Sequence, residues 1–199
     1  MTRDEALKLL HEHMQSPNLR KHCYATEAVM RALAKRLGGD PETWGIAGLV
    51  HDADYEEFKD KPQEHTKMAA KWLQEAGVSE EIINAILAHG WGYIEGNPEP
   101  KTKMEWALYC CDELTGFIVA VALVRPDPPS PLASEGQGKS KLQMVTVKAV
   151  MKKWGEKSFA AGVTRGQIEE CDTRLGIPLP EFIAVALGAM QERSDDLGL

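Results

Sequence analysis

MEWALYCCDELTGFIVAVALV, Met104–Val124, decides the fold. Apart from Glu105, Asp112 and Glu113, every residue in it is apolar or small, and no proline interrupts it. A helix that is apolar almost all round belongs at the centre of a helical protein. Its longest apolar run, Leu114–Val124, is too short to span a bilayer, so no membrane partner is expected. Asp112 is the anomaly. A carboxylate at a central position is costly unless it is paired with a cation. The plain alternative is a salt bridge to an arginine such as Arg31 or Arg36.

Helical periodicity continues on both sides. Helices are expected over about 2–15, ended by Pro17-Asn18, and over about 19–37, closed by Gly38-Gly39. Asp40-Pro41 opens a third helix in the order cap then proline, running to about His51. Pro62 opens a fourth, closed by Gly77; Ser79 opens a fifth that ends at His89-Gly90. The central helix starts near Thr102. RPDPPSPLASEGQGKSK, 125–141, is rich in Pro, Gly and Ser and reads as a mobile loop. Three further helices follow at about 145–154, 164–175 and 180–192. The chain is therefore expected to be all-α: a helical core at 1–124, a loop at 125–144, and C-terminal helices at 145–199 packing on the same domain.

Bulk properties exclude little but agree with this. The 199 residues suit one domain, with 43% hydrophobic and 27% charged residues. A net charge of −7 argues against nucleic acid as the main partner. The N-terminus is charged and helix-like, without a signal-peptide core. Cys23, Cys110, Cys111 and Cys171 show no metal-type spacing, and reduced thiols in a cytoplasm are the natural reading.

The histidines carry the functional signal. His22 shares an apolar face with Leu19, Thr26, Val29 and Leu33 at three-four spacing. His65 precedes Met68, Ala69 and Trp72; His51 continues the stripe of Trp44, Ala47 and Gly48; His89 follows Ile82, Ala85 and Ile86. One inward histidine is ordinarily a hydrogen-bonded core residue. Four on separate segments, with Asp52 and Asp112, form a mixed imidazole and carboxylate set suited to Mn, Fe, Co, Ni or Zn. With no cysteine among them, a structural zinc site is disfavoured. His11 and His13, among charges on the first helix, read as solvated.

The ordered set His22, then His51-Asp52, then Asp112 resembles the HD-domain superfamily of metal-dependent phosphohydrolases, over about 18–123. HDADYEEFKDKPQEH, His51–His65, followed by AILAHG, is similar to small bacterial and archaeal members of unknown substrate. The resemblance implies a helical bundle and one divalent ion held by those four residues. It also implies hydrolysis of a nucleotide or other small phosphate ester by metal-activated water. His65 and His89 would hold a second ion bridged by Asp52, or His65 would meet substrate instead.

Asp52, Asp54 and Glu56 are the acid-base candidates, with Glu27 a weaker one. For the substrate, Lys59, Arg125 and Lys157 are candidate phosphate contacts, and Trp91 and Tyr93 candidate stacking rings. For most of these charges a solvated helix face is the favoured reading, and for the two rings an ordinary surface loop is an equal one. Two other functions fit the same residues: an HD-fold di-iron oxygenase using all six ligands, and a non-catalytic helical binding module stabilised by its metal. The short interval from His51 to His65 favours the hydrolase over the oxygenase.

Overall fold

The structure, a computed structural model, describes residues 1–126 and 140–199. Among these residues it is all-α, with no strand. The helix starts follow local capping chemistry. Helix α1, Arg3–His13, begins with a reciprocal capping box between Thr2 and Glu5. Helix α2, Pro17–Leu37, is capped by Ser16 with Pro17 in its first turn. Pro17 thus opens α2, because a residue there needs no backbone N–H. Helix α3, Pro41–Val50, is capped by Asp40, whose carboxylate accepts from the Thr43 N–H.

The segment after α3 departs from expectation. A short helix α4, Tyr55–Phe58, and a 3-10 turn at Pro62–Glu64 come before helix α5, Lys67–Glu75. The helix expected from Pro62 begins only at Lys67. Thr66 stands at φ +69°, outside the helical region, and its hydroxyl accepts from the Asn97 side-chain amide at 2.9 Å. This break frees His65 from the helix.

Helix α6 is Glu80–His89, and α7 is Lys103–Leu123, opened by a Thr102–Glu105 capping box. Then come α8, Val147–Trp154; α9, Arg165–Leu175; α10, Leu179–Glu192; and the short α11, Ser194–Leu197. The loop expected at 125–144 falls mostly on residues 127–139, outside the described residues.

Helix α7 lies at the centre, with Leu108, Leu114, Phe117 and Ile118 fully buried. It contacts α2, α6 and α9, while α10 packs on α2. Among the described residues it is also the one helix long and apolar enough to cross a membrane; 67% of that window is buried inside the fold. The most extensive helix contact is between α2 and α3. A Cβ on Gly48 would lie 2.8 Å from the Thr26 carbonyl oxygen and 3.0 Å from the Glu27 nitrogen. Only glycine lets the two backbones meet there, and this contact sets the distance between His22 and His51.

Candidate metal centre

Five segments deliver six side chains to one place. His22 comes from α2, His51 and Asp52 from the end of α3, His65 from the turn before α5, His89 from the last position of α6, and Asp112 from the middle of α7. His22 Nε2 lies 2.9 Å from Asp112 Oδ1 and 3.2 Å from His51 Nε2. His51 Nε2 lies 3.3 Å from Asp112 Oδ1 and 3.5 Å from Asp52 Oδ1. On the other side of Asp52, His65 Nε2 and His89 Nε2 each stand 3.4 Å from its Oδ1. The ligand atoms form two groups, His22/His51/Asp52/Asp112 and Asp52/His65/His89, which share Asp52.

The outer nitrogens explain the orientation. His51 Nδ1–H donates to the Gly48 carbonyl at 2.9 Å, and His89 Nδ1–H to the Ile86 carbonyl at 2.6 Å. Both histidines sit at helix C-termini, where carbonyls lack intrahelical donors. Each caps its own helix and turns Nε2 into the site. His65 Nδ1–H donates to Asp54 Oδ1 at 2.8 Å. Thr115 donates to the Asp112 carbonyl, so its oxygen accepts from His22 Nδ1–H at 3.1 Å. Four Nδ1 protons point outward and four Nε2 lone pairs converge, which is how metal-ligating histidines are held.

The residues fit a first-row ion. The buried Nε2 of His89 has no hydrogen-bond partner among the described residues. The Nε2 atoms of His22 and His51 face each other as two acceptors. Metal–ligand bonds of about 2.1 Å bring neighbouring ligand atoms to roughly 3.0–3.4 Å, the range seen here. No lysine or arginine among the described residues pairs with Asp52 or Asp112; their ionic partners are imidazoles alone.

The field confirms a demand for positive charge. Burial alone would lower the His51 pKa, but Asp52 and Asp112 overcome it and push it up to about 9. His65 is raised in the same way, against its burial, by Asp54 and Asp52. Burial opposes ionisation of Asp52 and Asp112, yet the surrounding imidazoles hold both below the usual carboxylate range. Protons on these histidines would occupy the place of a cation.

Several candidate residues stand elsewhere. Asp54 is fully buried with both oxygens engaged, Oδ1 by His65 and Oδ2 by the Ala69 N–H at 2.9 Å. It anchors the first turn of α5 and orients His65. Glu56 accepts from the backbone N–H groups of Gln15 and Ser16 at 2.6 and 2.9 Å, fastening the α1–α2 turn. Glu27 is buried between Arg3 and Arg31, 2.6 and 3.0 Å away. Arg31 and Arg36 are engaged by Glu42 and Glu181, and neither pairs with Asp112. His13, read as solvated, stacks on Trp72 with ring centroids 3.6 Å apart and pairs with Glu57.

Lys59 and Lys157 are exposed. Arg125 lies past the far end of α7, roughly 20 Å from Asp112 at about 1.5 Å per residue, and lines a separate cavity with Lys152 and Lys153. Trp91 and Tyr93 line a cavity of about 220 Å³ with Tyr109 and Glu113. Tyr93 is 51% exposed there. Thr115 was not anticipated. It follows Asp112 by one helical turn, so spacing alone could have flagged it.

The HD-domain family model matches residues 19–115, which include His22, His51, Asp52 and Asp112. Residues 19–115 form an HD domain. Solved HD domains share the architecture. One is the HD domain of the L. monocytogenes phosphodiesterase PgpH in complex with cyclic-di-AMP, at 15% identity and a TM-score of 0.52, over 94% of this chain and 96% of that one. A second structure of the PgpH HD domain matches at 15% identity and 0.52, over 96% and 99%. No curated protein matches. The HD domain here thus carries a histidine and aspartate cluster that could hold a metal.

Proposed function

We propose that this protein is a metal-dependent phosphohydrolase acting on a nucleotide or other small phosphate ester. The observation that carries the reading is Asp52, shared between two ligand groups inside an HD domain. His22, His51, Asp52 and Asp112 would hold one ion; Asp52, His65 and His89 would hold a second. Such ions lower the pKa of water and neutralise phosphate oxygens. The chain itself holds the four Nε2 lone pairs in place through Gly48, Ile86, Asp54 and Thr115. It leaves His22 and Asp112 the most exposed of the set, so substrate approaches from their side.

The di-iron oxygenase reading gains one observation. The short interval from His51 to His65 does not exclude His65, because the break at Thr66 turns it to Asp52. Metal content, measured by plasma mass spectrometry on wild type and Asp52→Ala, tests the site. Two equivalents lost in the variant, with phosphate-ester turnover indifferent to oxygen, support the hydrolase. Two irons with oxygen-dependent turnover and no ester hydrolysis would replace it with the oxygenase. Retention of full metal by Asp52→Ala would refute both.

A further inference from the structure

Gly116 is out of place. It lies inside α7, where glycine is less favourable than alanine. Its φ is not positive, and a Cβ built there would meet nothing within 4 Å. Neither backbone conformation nor crowding accounts for it. The open space is a cavity of about 400 Å³ beside the metal centre. Its lining includes His22 and the Thr115 that orients it, with Ala25, Val119, Leu123 and Leu197.

The helix periodicity ties this cavity to the cluster. Asp112, Thr115, Gly116, Val119 and Leu123 occupy one stripe of α7; Lys21, His22 and Ala25 occupy the facing stripe of α2. Each stripe carries a metal-centre residue next to pocket wall. Leu123 is 58% exposed, an apolar side chain facing an open cavity. Lys21 stands at the rim, half-buried, and no carboxylate among the described residues pairs with it.

We propose that this pocket receives the organic group of the phosphate ester, and that Gly116 sets how large that group can be. The assignment rests on the hydrolase reading and adds the substrate class: an ester whose organic part is uncharged and largely apolar. Apart from Asn18, Lys21, His22 and Thr115 the pocket's lining offers no polar side chain, so it selects by size and hydrophobicity. Lys21 meets the negative charge of the phosphate.

Non-hydrolysable phosphonates test this on the metal-loaded full chain by calorimetry. In wild type, affinity should rise about fourfold per added methylene from methyl- to hexylphosphonate, the gain of burying each one. Gly116→Leu, which fills the pocket, should abolish that rise and melt no lower. Leu123→Ala, which removes a wall, should reduce the gain per methylene. Lys21→Met should weaken every member by about tenfold, the loss of one charged contact.

Methylphosphonate binding with no dependence on length, or the same dependence in wild type and Gly116→Leu, would overturn the pocket assignment alone. Failure of the metal-loaded protein both to bind methylphosphonate and to hydrolyse any ester would overturn the hydrolase reading, and this assignment with it.

Discussion

Gly48→Ala should weaken metal binding without touching a ligand. The new Cβ would meet Thr26 O at 2.8 Å, Thr26 C at 2.9 Å and Glu27 N at 3.0 Å. Comfortable contact begins near 3.5 Å, so α2 and α3 must part by about 0.5 Å. All three neighbours are backbone atoms inside a helix and cannot swing aside. Overpacking of this kind costs about 1–3 kcal/mol. Better helix propensity offsets about 1 kcal/mol of it. The net change in Tm is therefore modest, a fall of up to about 8 °C at roughly 2–4 °C per kcal/mol for a chain of this size.

The effect on the site should be larger. His22 rides on α2, and His51 is held at the end of α3 by the Gly48 carbonyl itself. Parting the helices moves one ligand against the other and shifts the acceptor that orients it. Disturbing such a support typically costs about 10–100-fold in metal affinity. Competition with a fluorescent chelator measures it, beside thermal melts in the same buffer. Gly188→Ala on α10 is the control, because a Cβ there meets nothing within 4 Å. It should raise Tm by a few degrees and leave the metal affinity alone. If Gly48→Ala behaves like Gly188→Ala in both measurements, the close approach of α2 and α3 does not set the ligand spacing.

Asp54→Asn keeps an acceptor for Ala69 but can present an amide donor to His65, turning its proton toward Nε2; one equivalent of metal should be lost while the fold survives. Full metal content in that variant would remove Asp54 as the residue that orients His65. Glu27→Ala should destabilise by about 1–3 kcal/mol, because Arg3 and Arg31 lose a buried partner; metal content should not change, and its loss would reopen Glu27 as part of the site. The metal-free protein should lose stability as pH rises. The His51 pKa is raised to about 9 in the fold, so its contribution is full below the unfolded value of about 6.5 and lost as pH rises through about 9. Metal reverses the trend, since its ligands must be deprotonated; melts from about pH 6 to 9.5, with and without chelator, should slope in opposite directions.

Much of the fold was legible because its signals are local. Thr2 with Glu5, Asp40 with Pro41, and Thr102 with Glu105 mark helix starts by chemistry within one turn. The same locality misled at Pro62: the break at Thr66 depends on Asn97, which no nearby spacing announces. The start of α5 is held by Asp54, thirteen residues before Lys67 in the chain, at Ala69.

Periodicity by itself determined that His22 and His89 face inward and that Asp112 belongs to a central helix, since a side chain's direction around a helix is fixed by position in the sequence. Only the tertiary structure decided what they meet. Whether His22 and His51 lie 3.2 Å apart depends on how closely α2 and α3 cross, which Gly48 and Thr26 set together. Asp54 and Glu56 sit beside the His-Asp pair in sequence and looked like its chemistry. In the fold their oxygens go to the backbone N–H of Ala69 and to those of Gln15 and Ser16, groups brought beside them only by tertiary packing. The pocket at Gly116 could not be read from the chain at all: an absent side chain has meaning only when the space it leaves is seen.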